Sequence, residues 1–269
     1  MNQGIKRLLL LCLAALLLAG CAARAAAADP YAGLPAVRVG CDTYPPYSYT
    51  DADGQAAGID IELATEAFHR MGYQPQFVTI DWETKQDLVE DGTVDCIWSS
   101  FSMDGREGDY RWAGPYMVSR QVVAVLPDSD IYTIADLAGK NVAVQATTKP
   151  EELFLSGVDG IPAIRSLFSL QNRELLPPYL SKGYADAIAA HETSIRQYMA
   201  DYDMEFRILE EPLMVVGLGV AFAKDDTRGL ETQLSATLAQ MRADGTSAQI
   251  IGRYLDNAES YLEVDGYAG

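Results

Sequence analysis

Between residues 37 and 98 short apolar runs alternate with amphipathic stretches, and this order limits the fold more than any other feature of the chain. Residues 37–40 read as a strand. Ile59, Leu63, Ala64, Phe68 and Met71 recur at helical spacing, so 59–70 reads as an amphipathic helix. Residues 76–80 form the next strand, 81–90 a helix that Gly92 ends, and Cys96, Ile97 and Trp98 a buried strand. Strand, helix, strand, helix, strand describes a parallel α/β sheet, whose ligands sit outside the carboxyl ends of the strands. Tyr44 follows the first strand, on a loop that Pro45 and Pro46 keep out of the sheet. Trp82 follows the second and Ser99 the third. Three loops thus converge on one edge.

A second α/β series follows. Residues 121–126 form a strand that carries the chain away, and 134–140 lead into a strand at 142–144. Pro150 suits the first turn of a helix, with Glu151 and Glu152 at the positive end of its dipole. A helix over 173–180 and a strand over 186–189 lead to Ala190, His191 and Glu192, and a helix runs on to Met199. Residues 215–223 return as a strand in which Gly217 and Gly219 give room at a bend. Leu230, Leu234, Leu238 and Met241 make a helical stripe that Gly245 ends, and a last helix covers 246–254.

The N-terminus has Lys6 and Arg7, an apolar run from Leu8 to Leu18, and then Gly20 and Cys21. A basic start before an apolar segment of that length describes a secretory signal over 1–20, too short for a spanning helix. The Leu18-Ala19-Gly20-Cys21 ending resembles a bacterial lipobox, which implies cleavage before Cys21 and a diacylglyceryl thioether on it. The alanine-rich segment 21–32 would then serve as a tether. The chain carries 38 acidic and 20 basic residues, a formal net charge of −18. Such a surface repels phosphate and argues against a nucleic-acid partner. Two isolated histidines make a poor metal site, and neither a P-loop nor a Ser-His-Asp arrangement is visible, so no metal or cofactor is expected. Cys41 and Cys96 fall near opposite ends of their strands and are expected as buried free thiols.

The stretch 95–116 carries most of the chemistry. Ser99, Ser100 and Ser102 precede Arg106, and hydroxyls followed by a guanidinium suit a small carboxylate, because the planar fork grips both oxygens. The alternative is that Arg106 pairs with Asp104 or Asp109 at the surface and the serines cap the next helix. Thr147 and Thr148, at the start of the Pro150 helix, offer hydroxyls and backbone amides to the same anion, or one of them is a plain N-cap.

This stretch resembles the signature segment of the bacterial extracellular solute-binding proteins of family 3, the substrate-binding components of polar amino acid ABC transporters. The later Ala146-Thr147-Thr148 is similar to that family's G-T-T motif, and 241–255 resembles its ending. The loop to Arg106 and the step from Asp42 to Tyr44 are each one residue shorter than usual. The resemblance implies a periplasmic-binding-protein type II fold with two α/β lobes joined by a two-strand hinge, lobe 1 over 33–117 and 217–269 and lobe 2 over 118–216. It places Tyr44 and Trp82 at the ligand's side chain, Arg106 with Thr147 and Thr148 at its carboxylate, and the serines at its other polar atoms. At His191 the relatives place an Asp that accepts an α-ammonium. Either Glu192 takes over, or His191 accepts as a neutral ring, or the ligand has no free α-amine, or His191 merely caps the next helix.

The function implied is a monomeric, lipid-anchored, extracytoplasmic lipoprotein that delivers an amino-acid-like ligand to membrane permease subunits and is not an enzyme. A dehydratase-like enzyme on the same scaffold, with Glu83, His191 or Glu192 in acid–base roles, and a ligand sensor acting through a receptor are the alternatives.

Overall fold

The computed structural model describes residues 30–267, so the signal segment and Cys21 lie outside the described residues. The chain from Pro35 onward begins with β1 (Ala36–Cys41), a small hairpin of β2 (Tyr49–Thr50) and β3 (Ala56–Ala57), and helix α1 (Ile59–Arg70). Strand β4 (Gln74–Thr79), α2 (Lys85–Glu90) and β5 (Cys96–Ser102) complete the first series, with β4, β1 and β5 parallel neighbours. Strand β6 (Arg111–Val125) then runs for 15 residues. The second series comprises β7 (Asn141–Gln145), α3 (Lys149–Ser156), β8 (Ser166–Leu170), α4 (Leu176–Ser181), β9 (Ala187–His191) and α5 (Glu192–Tyr202). After the short β10 (Arg207–Ile208) the chain returns through β11 (Met214–Phe222) and ends with α6 (Leu230–Ala243) and α7 (Thr246–Ile251).

The strands form a nine-stranded sheet in the order β4-β1-β5-β11-β6-β9-β7-β8, with β10 on β6. Two parallel trios flank an antiparallel pair, β11 and β6, which joins them edge to edge. The apolar cores divide in the same way. One set of clusters draws on residues 37–117 and 216–262, around Trp98, Phe68, Leu63 and Leu234. The other lies within residues 122–209, around Val123, Val144, Leu180 and Ile188. The helical stripe Ile59, Leu63, Ala64 and Phe68 is fully buried against the first core, as its spacing requires.

Strands β5, β6 and β8 and the last helix depart from the sequence expectation. Strand β5 continues past Trp98 through Ser102, so the serines lie on the strand itself and are buried. Strand β6 starts at Arg111, because β11 pairs along it from Phe222 to Met214 and extends the ladder well before residue 121. Strand β8 carries no clear apolar run, since its serines interrupt the pattern; it is held by its parallel register on β7. The last helix stops at Ile251, where Gly252 follows. Cys41 and Cys96 are both buried free thiols, and the β1/β5 register sets Cys96 opposite Val39 rather than Cys41.

Gly58 fixes the approach of the Tyr44–Tyr47 loop to α1. It has φ of 120°, and the amides of Ile59 and Asp60 donate to the carbonyls of Pro46 and Tyr47 at 2.9 and 2.8 Å. A Cβ at Gly58 would overlap the Tyr47 carbonyl oxygen, a backbone atom that cannot turn aside. Gly58→Ala is therefore expected to lower stability by roughly 2–4 kcal/mol, through a forbidden φ and a steric overlap, measured as a lower urea midpoint with an unchanged slope.

Candidate functional site

The carboxyl ends of β1, β5, β7 and β9 meet around a narrow cavity. Tyr44, Trp82, Ser100, Ser102, Arg106, Thr147, Thr148 and His191 all line it, drawn from both sets of strands. Ser99 does not: its Oγ accepts from the Asp42 amide at 3.0 Å and holds the loop that carries Tyr44.

Two of the lining residues have backbones in the left-handed region although neither is glycine: Ser100 at φ 45° and Thr147 at φ 58°. Such a conformation is costly, above all for β-branched Thr147, and persists where surrounding contacts impose it. At Ser100 the contact is Asp60 on α1, whose carboxylate accepts the Ser100 amide at 2.6 Å and the Tyr116 hydroxyl at 2.8 Å. Burial pushes the Asp60 carboxyl up to about 7 against the pull of those two bonds. At Thr147 the amide donates to Glu151 at 2.5 Å, the carbonyl accepts from Arg106 at 3.2 Å, and the hydroxyl accepts from Lys85 Nζ at 2.8 Å. The Thr147 amide is therefore engaged within the chain, where the sequence suggested an amide free for a ligand. Thr148 caps nothing with its side chain; its hydroxyl donates to the Gln145 carbonyl at 2.6 Å.

Arg106 does not turn to Asp104 or Asp109. It lies over the Phe101 ring, donates to the Ser102 and Thr147 carbonyls and has Glu152 at 3.9 Å. Arg173 enters from the opposite side. Its guanidinium carbon sits 3.8 Å from the Tyr44 ring centroid and 4.9 Å from that of Trp82, and its Nε pairs with Asp42 at 2.9 Å. Stacking of this kind suits Arg, whose planar cation meets the negative face of each ring. Gln145 reaches the same Asp42 oxygen at 3.0 Å.

His191 ends β9 with its ring buried. Gln121 Nε2 lies 3.0 Å from Nε2, so the imidazole proton sits on Nδ1 and donates to Ser119 Oγ at 2.8 Å. Tyr47 Oη continues the chain to Ser119 at 3.1 Å and Thr193 at 2.7 Å, and the His191 amide donates to Tyr44 Oη at 3.1 Å. Burial, then the charge of Arg173, push the ring's pKa down to about 3, so it is neutral with both nitrogens engaged. Glu192 is not in the cavity: α5 begins there and turns its carboxylate to Arg120 at 2.8 Å and Arg196 at 2.6 Å. A carboxylate that neutralises those two cations faces another cleft, beside Arg120 and Tyr261.

A cavity lined from both halves of a sheet by a guanidinium, hydroxyls and stacked aromatics matches a known class. The model of the bacterial extracellular solute-binding proteins, family 3, matches residues 37–257. The chain belongs to that family. Among its relatives, the histidine-binding periplasmic protein of Salmonella typhimurium is 31% identical over 245 residues, 87% of this chain and 90% of that protein. The lysine/arginine/ornithine-binding periplasmic protein of Escherichia coli is 30% identical over 247 residues, 86% and 92% of the two chains. A solved structure bound to L-arginine is 26% identical with a TM-score of 0.76, covering 84% of this chain and 92% of its own. The two-lobed type II fold of this family is thus the fold of the chain, and these relatives are binding proteins of amino acids. Among the described residues no helix is long and apolar enough to cross a membrane.

Sequence reasoning missed Asp60, Lys85, Gln121, Gln145, Lys149 and Arg173. Lys85 looks like any lysine opening a helix, yet it is buried, with its ammonium 4.7 Å from the Trp82 centroid. Gln145 alone had a signal, as the last strand residue before Ala146-Thr147-Thr148.

The neutral His191 ties stability to pH. Its folded pKa lies below the unfolded value of about 6.5, so between pH 6.5 and 3 the unfolded chain binds a proton that the native chain refuses, and stability falls with pH across that window. Asp60, raised toward 7, has the opposite sign and is common to both proteins in a comparison with His191→Gln. Urea unfolding at pH 7 and pH 5 should show the stability gap between wild type and His191→Gln shrinking by about 1–2 kcal/mol at the lower pH, at up to about 1.4 kcal/mol per pH unit.

Proposed function

We propose that this family member is the lipid-anchored substrate-binding component of an amino acid ABC transporter. It captures one small, amino-acid-like ligand between two closing lobes and delivers it to a permease at the membrane. The observation that carries the reading is the reach of Arg106 across the cleft: it touches Ser102 on one side and Thr147 on the other, so a carboxylate between them would engage both halves at once. The relatives named for histidine and for lysine, arginine and ornithine support an amino-acid-like ligand. The divided cores support lobes over 33–117 with 217–269 and over 118–216, joined by β6 and β11.

In this reading the ligand need only favour the closed arrangement by contacts absent when the lobes part. Tyr44 and Trp82 bound its side chain, while Ser100, Ser102, Thr147 and Thr148 meet its polar atoms. His191 closes the floor as a neutral wall, Ser99 acts through Asp42, and Glu192 takes no part. The protein acts as a monomer, without cofactor or catalysis, held outside the cytoplasm by lipid on Cys21.

Titration calorimetry with the common amino acids and their acidic analogues tests this. Arg106→Ala should weaken the tightest ligand by roughly 2–3 kcal/mol, or about 30- to 150-fold, as a charge-assisted pair is lost; equal binding by wild type and variant removes Arg106 from the account. Cys21→Ser should release the protein from the detergent phase of a two-phase extraction into the aqueous phase, and its retention in detergent would exclude the lipid anchor.

A further inference from the structure

The cavity is lined by Arg106, Lys149 and Arg173 and by no Asp or Glu. Lys85 stands directly behind Thr147 and Trp82. Asp42, Glu151 and Glu152 approach from outside the lining and answer only part of this charge, Glu151 being bonded to the Thr147 amide at 2.5 Å. Asp42 is taken by Arg173 at 2.9 Å and Gln145 at 3.0 Å, and the half-exposed Glu152 by Lys149 at 2.6 Å. Lys85 donates to two neutral oxygens, the Trp82 carbonyl and the Thr147 hydroxyl, and Arg106 to two carbonyls with Glu152 at 3.9 Å. Cations buried with so little opposing charge are costly, and an anion placed among them relieves that cost. Lys85 registers the strain: burial, then Arg106 and Arg173, push its ammonium down to about 7.

The acceptors in the cavity are of a different kind. Gln121 Oε1, Gln145 Oε1 and Ser100 Oγ are buried without a hydrogen-bond partner among the described residues. Two are amide carbonyls whose amide nitrogens are already committed, to His191 and to Asp42 with the Gln171 carbonyl. A buried acceptor left unmatched needs a donor. A hydroxyl supplies one without adding positive charge beside Arg173, whereas an ammonium adds it where His191 offers no lone pair.

We infer that the ligand is a small dicarboxylate carrying a hydroxyl in place of the α-ammonium. The inference rests on the solute-binding reading above and narrows its ligand. One carboxylate lies between Arg106 and the Thr147–Lys149 turn and the other toward Arg173, with the hydroxyl on Gln121 and Gln145. The contrast with relatives named for cationic amino acids follows from the charge of the wall: a cationic side chain would meet Arg173 between the two rings that would otherwise hold it.

Calorimetry on the full chain with matched pairs decides the matter: L-malate against L-aspartate, and L-2-hydroxyglutarate against L-glutamate, with L-histidine, L-arginine and L-glutamine alongside. A hydroxy acid binding at least about tenfold more tightly than its amino twin is the expected result. Arg173→Gln should reduce that preference, and His191→Asp, which puts a carboxylate into the wall, should reverse it; circular dichroism confirms that each variant is folded. An amino twin that equals or exceeds its hydroxy acid, or binding of L-histidine, L-arginine or L-glutamine alone, overturns the inference and leaves the amino-acid reading standing. Binding of none of these compounds overturns the inference, and the amino-acid reading falls with it when the remaining common amino acids also fail to bind.

Discussion

The pairing of Arg173 with Asp42, with the guanidinium laid against Tyr44, is the interaction on which the rest of the site depends. The two residues come from opposite halves of the sheet, one after β1 and the other just before α4. Their contact brings the aromatic loop against β9, so that Tyr44 Oη meets the His191 amide and Tyr47 Oη meets Thr193. It also commits the Asp42 carboxylate to a protein cation. Buried ion pairs of this kind add little net stability, because desolvation offsets attraction, but losing one partner leaves the other stranded at a cost of several kcal/mol. The pair therefore serves geometry more than stability: Asp42 is a fixed anchor for Arg173 and Gln145, and the rings of Tyr44 and Trp82 set the plane in which the guanidinium lies.

Around this anchor the fold supplies strain and rigidity in the places where the cavity needs them. Ser100 and Thr147 hold left-handed backbones on opposite walls, each fixed by a carboxylate of its own half, Asp60 and Glu151. Lys85 and Arg106 cross to Thr147 from the other wall. The floor is the neutral chain through Gln121, His191, Ser119, Tyr47 and Thr193, in which every imidazole nitrogen has a partner.

Much of the fold was legible in the sequence because it follows from period and punctuation. The stripe of α1, the βαβ order and the loops at the strand ends placed Tyr44, Trp82 and Ser99 near one edge, although the structure lines the cavity with Ser100 rather than Ser99. The residues that escaped are those whose role is created by the other half of the molecule. Lys85 is buried only because Thr147 closes over it, and Arg173 has no local pattern that marks it as a stacking partner of Trp82. Glu192 shows the converse: adjacent to His191 in sequence, it points elsewhere because a strand ending and a helix beginning send neighbouring side chains in different directions. The serines were read as a loop because the apolar run ends at Trp98, yet β5 stays buried on both faces through Ser102, with hydroxyls in place of apolar side chains.

The cluster of cations sits inside a body whose formal charge is −18. At a distance, an incoming dianion feels the acidic exterior and is repelled; only within roughly 8 Å at physiological ionic strength does the local field of the cleft outweigh it. Added salt shortens the outer barrier more than it weakens the desolvated contacts within. The association rate of such a solute therefore rises with ionic strength, opposite to the trend for an anion steered toward a basic protein.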